Sequence, residues 1–272
     1  MILFKRIRES VGSIEGREWV LLCLETFGVL AGILIAFELQ EWGSQRDQAA
    51  RHRQLMERLF EESRIDVAVL RDLRDSLQTI VKPEETFATS LGKGQCPRQE
   101  DFRSVATLTM LPALTAPTSV YQELLGAGGL SSIEREDVRE HVAQFHGSLD
   151  WAKGQVDYFR MVRITPLEIS DPRVKTHFDL AASDPQVDVF DRTALCNDQG
   201  FKNRVAAAAR QHAVYASYFQ GTLEDAISMC VRLGDSLGKT CVPTFGGPLN
   251  GDDAKYSDKA AKQMKQDLAK PN

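Results

Sequence analysis

Glu25 is the residue of this sequence whose type and position most suggest chemistry. It is the only charged residue in the apolar run from Val20 to Phe37, and Gly28 and Gly32 follow it at spacings of three and seven residues. Those spacings place the carboxyl group and both glycines on one face of a helix, where small residues let two helices approach closely. The pattern predicts a helix-packing site in which Glu25 hydrogen-bonds to another copy or to a partner helix. A ring of Glu25 side chains that conducts protons or cations is the alternative.

The five cysteines divide into one inside the apolar run and four in the C-terminal part of the chain. Cys23 lies in the run, so an even number remains for disulfide bonds. Cys230 and Cys241 are close in sequence and we expect them to pair, which leaves Cys96 to pair with Cys196. Two such bridges require an oxidising compartment, and four free thiols in a reducing one are the alternative.

No motif in the sequence predicts an enzyme. His141 and His146 are five residues apart, so they do not share a helix face as a metal-binding i, i+4 pair does. The glycine-rich turn at 126–129 has no lysine and no preceding strand, which argues against a phosphate-binding loop. We therefore predict no catalytic, cofactor-binding or metal-ligating residues and no cofactor. A cryptic periplasmic enzyme is the alternative.

The apolar run has the length of a membrane span. Eighteen helical residues cover about 27 Å, close to the hydrocarbon thickness of a bilayer. Trp19 and Trp42 flank the run where an interfacial aromatic belt would lie. Basic residues precede the run and no small-x-small cleavage site follows it, which favours an uncleaved signal anchor. We predict a single transmembrane helix in the bacterial inner membrane, with a cytoplasmic N-terminus and a periplasmic C-terminal domain.

The elements beyond this run predict an all-α fold. No glycine or proline lies between Gly43 and Pro83, so we expect the transmembrane helix to continue as a long stalk helix. We expect that stalk to pack with an extramembrane antiparallel helical bundle. The predicted order is a cytoplasmic segment at 1–18, a transmembrane helix at 19–42, a stalk at 43–82, a helical domain at 83–245 and a flexible tail at 246–272.

Periodicity and punctuation place the helices of that domain. Ser131 and Ser132 precede acidic residues in the manner of an N-terminal cap. The segment 165–185 carries three prolines and is predicted to be irregular, and no convincing set of strands occurs. Apolar periodicity predicts helices at about 100–110, 118–125, 134–162 and 198–237.

The composition excludes several classes of protein. The chain has 272 residues, of which 43% are hydrophobic and 26% are charged. Such a composition argues against wholesale disorder and against a polytopic transporter. Its net charge of -5 gives no global basic surface for nucleic acid.

Three stretches resemble one family of bacterial membrane proteins. The run from Glu25 to Ala36 with the following Gln40-x-Trp42 is similar to the N-terminus of domain-of-unknown-function family 6090. The stretch from Tyr121 to Ile133, continued by Val138-Arg139, resembles that family's Tyr-x-x-Leu, Gly-x-Leu and Leu-Arg block. Phe201-Lys202-Asn203 resembles its late Phe-x-Asn helix start. The resemblance implies a single-pass anchor and a helical domain, and it implies no known reaction. The four extramembrane cysteines and the extended tail depart from the family pattern.

Together these features predict a function in assembly. We expect a homo-oligomer, or a component that binds another membrane protein, whose partners include the lipid bilayer and exclude nucleic acid. Conduction or sensing through Glu25 is the alternative from a different class of function.

Overall fold

The computed structural model describes residues 16–168, 170–178, 180–181 and 186–269, with the side chains of all of them except 16–23, 186–187 and 268. This part of the chain is mostly helical and includes one two-stranded antiparallel sheet, so the all-α fold class is confirmed. The helices are α1 (Gly16–Gly92), α2 (Arg103–Thr107), α3 (Ser119–Gly126), α4 (Glu136–Met161), α5 (Arg192–Asn197), α6 (Gln199–Leu237) and α7 (Gly251–Leu268). The strands are β1 (Val174–Phe178) and β2 (Gln186–Phe190), paired with Val174 opposite Phe190.

Helix α1 is a continuous helix of 77 residues. It ends at Gly92, ten residues after the predicted end of the stalk at 82. Pro83 lies inside it. A proline there has no N–H to donate to the carbonyl of Thr79, yet the helix continues through it, and the nearby Val81, Glu84 and Phe87 are buried. The chain divides into two compact units, and the boundary after Gln54 falls within α1.

The predicted transmembrane helix and inner-membrane localisation are wrong for the part of the chain that the structure describes. Among those residues no helix is both long enough and apolar enough to cross a membrane. Along the described side chains of α1 from Leu24 to Glu41, three acidic residues, Glu25, Glu38 and Glu41, interrupt the apolar sequence.

The core of the second unit lies between α1, α4 and α6. The apolar face of α1 from Leu55 onward is buried by later helices of the same chain, as its periodicity predicts. The side chains at the centre of this core, all less than 3% exposed, are Leu59, Phe60, Val67 and Leu70 of α1, Val142, Phe145 and Leu149 of α4, and Phe219, Leu223 and Ile227 of α6.

A second, smaller core lies beside the end of α1. Phe87 and Phe102 meet edge to face with ring centroids 5.0 Å apart, and Phe201 of α6 is stacked 6.4 Å from Phe102. The disulfide between Cys96 and Cys196 closes over this core. It ties the segment after α1 to the short helix α5.

Strand β1 of the hairpin lies in the segment 165–185 predicted to be irregular, and β2 begins directly after it. Four of the five side chains of β1 are exposed, and only Val174 and Phe178 of that strand are apolar. The alternation in β2 covers just four residues, Gln186 to Val189, which is too short to mark a sheet against the surrounding loop residues. Among the side chains of the hairpin that the structure describes, Val174 and Phe190 at its base belong to the second core or pack against it.

The ends of the long helices follow local rules in part. The Asp198 carboxylate accepts a hydrogen bond from Phe201 N and caps α6, and Gly238 ends that helix with a φ of 67°. The predicted serine cap of α4 is wrong. The hydroxyls of Ser131 and Ser132 donate to the carbonyls of a preceding turn, and α4 begins after Arg135.

The segment after α6 is held to α1 by arginines, although its composition predicts a flexible tail. Arg71 donates to the carbonyls of Phe245, Gly247 and Pro248 at 2.8–3.3 Å. Gly246 has a φ of 76°, and a Cβ there would overlap the Arg71 guanidinium. Main-chain carbonyls accept these hydrogen bonds, so no pattern of side chains in the tail predicts them.

Helix α7 is docked by ion pairs and a short apolar face. Arg74 binds both oxygens of Asp253, whose side chain is 3% exposed. The fully buried guanidinium of Arg232 lies 3.3 Å from Asp267. Ala260 and Met264 are buried on the same helix. A few charged contacts thus order a segment with little apolar content.

Replacing Arg74 with alanine should lower the free energy of unfolding by about 3 kcal/mol, because Asp253 would stay buried without its partner. Urea denaturation measures the loss. The control is Arg58→Ala, which breaks a pair with Glu123 whose side chains are 51% and 49% exposed and should cost less than about 1 kcal/mol. Equal small losses in both variants would contradict a stabilising role for the Arg74–Asp253 pair.

Candidate functional site

The first candidate site is the apolar part of α1 between Leu24 and Trp42. Glu25, Gly28 and Gly32 are exposed, and nothing lies within 4 Å of the position of a Cβ on either glycine. Large apolar side chains surround them on all faces of the helix, each 47–74% exposed: Leu24, Phe27, Val29, Leu30, Ile33, Leu34, Ile35, Phe37, Leu39 and Trp42.

Of the two tryptophans predicted to lie at membrane interfaces, the structure describes the side chain of Trp42 but not that of Trp19. Trp42 is 59% exposed, and the guanidinium carbon of Arg46 lies 4.7 Å from the centre of its ring. This cation–π contact gives Trp42 a polar neighbour at the end of the apolar stretch. The side chains of Trp19 and Cys23 lie outside the described residues.

The predicted disulfides are confirmed. Cys96 is bonded to Cys196, and Cys230 is bonded to Cys241. Cys230 is fully buried in α6, and Cys241 begins the segment that the arginines of α1 hold. The first bridge therefore fastens the segment after α1 to the short helix α5, and the second fastens the segment after α6 to that long helix.

A buried polar cluster between α1, α3 and α4 is the feature that sequence reasoning missed. The Glu62 carboxylate accepts hydrogen bonds from the Ser119 hydroxyl, Val120 N and Tyr121 N at 2.9–3.1 Å. It thereby caps the beginning of α3 from the neighbouring helix. The ring of Tyr121 then stacks on His146 with centroids 3.4 Å apart.

Asp66 and His146 are the unusual members of this cluster. Both are at least 97% buried, and neither oxygen of Asp66 nor Nε2 of His146 has a hydrogen-bond partner among the described residues. Burial, together with the Glu62 charge and against the opposing Lys153 charge, raises the pKa of Asp66 to about 8. Burial, together with the Lys153 charge, lowers the pKa of His146 to about 4. Both groups are therefore uncharged at pH 7.

A signal for this cluster exists in the sequence. Glu62 and Asp66 stand four residues apart between Leu59 and Leu70, on the stripe of α1 that faces the core. Polar residues at such positions interrupt an apolar period, and they indicate buried polar groups. The sequence does not indicate which helix faces them.

A second buried pair joins α1 to α6. His212 Nδ1 and Glu84 Oε2 are 2.6 Å apart, with both side chains 1% exposed. Glu84 Oε1 and His212 Nε2 have no partner among the described residues. A carboxylate in this position fixes the orientation of the imidazole, and the pair links the two helices by a hydrogen bond rather than by apolar contact.

The arrangement of these groups suits packing rather than metal chemistry. In the part of the chain that the structure describes, no group of three or more histidine, cysteine or acidic side chains could hold a metal ion. His141 binds the carbonyl of Asp137 through Nδ1, and His146 lies beneath Tyr121, so the two histidines do not come together.

No family model, curated protein or solved structure matches the chain. Membership of domain-of-unknown-function family 6090 thus stays a prediction from the quoted motifs.

Substituting Asp66 with asparagine should change the pH dependence of stability. Between about pH 4 and pH 8 the unfolded state has lost the Asp66 proton and the folded state keeps it, so stability falls by about 1.4 kcal/mol per pH unit. His146 has the opposite effect between about pH 4 and 6.5, because there only the unfolded state is protonated. The Asp66 effect is therefore uncompensated above pH 6.5.

The measurement is urea denaturation at pH 6.5 and pH 8. Over this interval Asp66→Asn should gain about 2 kcal/mol relative to the original chain. Asp72→Asn, an exposed position on the same helix, serves as the control and should show no such gain. A wild-type curve parallel to that of Asp66→Asn would show that Asp66 is ionised in the folded state.

Proposed function

We propose that this protein acts by assembly and not by catalysis, through association of the apolar segment Leu24–Trp42 with the same segment of a second copy. The helical unit that begins at Leu55 is then the module that assembly brings together. Ion conduction through Glu25 would require a membrane span, and no helix among the described residues could cross a membrane. No observation on the described residues favours a cryptic enzyme.

The observation that carries this proposal is the exposure of ten large apolar side chains within nineteen residues of one helix. Single exposed apolar residues are common on protein surfaces, but a contiguous patch of this kind indicates an interaction site. A helix that is apolar on all faces is stable when other apolar groups cover it, because this contact removes its side chains from water.

The glycine face supports a second copy as the partner. Gly28 and Gly32 are adjacent on one side of the helix with open space above them, so the backbone of another helix could approach closely. Glu25 stands on the same face. In a two-fold arrangement each Glu25 meets the same surface of the other copy, where its carboxyl group could hydrogen-bond to its counterpart.

The remaining structure supports a rigid module. Two disulfides fasten its irregular segments, and ion pairs fasten α7. The disulfides also favour a protein that folds in an oxidising environment.

The orientation of two isoleucines tests the proposal. At 100° per residue, Ile35 lies about 20° from Gly28 around the helix, and Ile33 lies about 140° from it. Ile35→Ala should weaken self-association about tenfold because it removes contact area next to the glycines, whereas Ile33→Ala should change it by less than about threefold. Gly32→Leu should weaken it further by keeping the helices apart.

Sedimentation equilibrium of the full 272-residue chain gives the association constants. Circular dichroism shows whether each variant stays folded. A monomeric wild-type chain at tens of micromolar would overturn the proposal. Equal effects of the two alanine variants would exclude the glycine face as the contact.

A further inference from the structure

A groove in the second unit lies between the last part of α1 and the segment that follows it. Its volume is about 630 Å³, within the range of small-molecule sites. The apolar part of its lining is Pro83, which is exposed, together with Phe87 and Pro97, which are buried beneath the surface. Phe87 packs edge to face on Phe102, so the second core supports this lining.

The charged side chains around this groove leave two cations uncompensated. Arg98 binds Glu100 at 2.7 Å and Asp101 at 3.5 Å, which satisfies the two acidic groups at the rim. Lys82 from α1 and Arg103 from α2 also line the groove. Among the described residues neither forms an ion pair.

The wall opposite α1 is held in place before any ligand arrives. The disulfide of Cys96 with Cys196 anchors it to α5, and Arg192 Nε donates to the carbonyl of Pro97 at 2.8 Å. A site whose walls do not need to be ordered loses less free energy on binding.

We propose that this groove binds a small organic anion that has a carboxylate and a flat or aliphatic apolar body. The guanidinium of Arg103 can bind a carboxylate through two parallel hydrogen bonds, and Lys82 supplies a second positive charge. The apolar body lies against the exposed Pro83, above the buried Phe87. This inference is independent of the assembly through Leu24–Trp42.

The test is a titration of the full chain with 4-fluorobenzoate, observed by ¹⁹F NMR line broadening, with the neutral 4-fluorobenzamide as the comparison ligand. Binding of the acid should saturate with a dissociation constant of about 1 mM. The amide should bind at least about tenfold more weakly because it has no charge for the two cations to recognise.

The variants Arg103→Gln and Lys82→Gln should each weaken binding of the acid about tenfold. Both side chains are exposed and without an ion pair among the described residues, so these substitutions should leave folding intact. Arg210→Gln on α6, exposed and outside the groove, is the matched control and should bind like the original chain.

Three results would overturn the inference: no saturable binding of the acid, equal binding of the amide, or equal losses in Arg103→Gln and Arg210→Gln.

Discussion

The second unit depends on burial of one face of α1 by α4 and α6. Leu59, Val67 and Leu70 of that face are fully enclosed, and each such side chain contributes roughly 1.5–3 kcal/mol when it leaves water. Since α1 supplies one whole side of the core, every later element is positioned relative to it. The short helix α3, the segment after α6 and helix α7 all reach their places by contacts with α1 or with its neighbours.

The same burial explains the polar groups inside the core. An unpaired ionised carboxyl group is costly to bury, so each carboxyl group on the buried face of α1 is either hydrogen-bonded or protonated. Glu62 binds three donors at the start of α3, Glu84 binds His212, and Asp66 remains protonated at neutral pH. These groups define which helix lies against which, because apolar contacts alone allow many arrangements.

The two parts of α1 form one helix but differ in whether their apolar side chains are covered. From Leu55 onward its apolar side chains are covered by the same chain, whereas between Leu24 and Trp42 they are exposed. The groove beside Phe87 differs again, because there two prolines and a phenylalanine lie beneath charged side chains. Assembly and ligand binding are thus proposed for separate surfaces with different chemistry.

The sequence by itself determined the helical class, the approximate limits of α4 and α6, and the pairing of the four cysteines. These follow from local signals: a period of 3.6 residues, the Asp198 cap, and the short separation of Cys230 and Cys241. The membrane span predicted from the apolar run is not among them, because no helix among the described residues is long enough and apolar enough to cross a membrane. Tertiary structure alone decided the rest. The tail is held by arginines that bind its carbonyl groups, and most side chains of β1 are exposed. The Glu62 carboxylate of α1 meets the start of α3 at Val120, 58 residues later in the chain. Such contacts join residues that are distant in the chain, so local sequence patterns do not predict them.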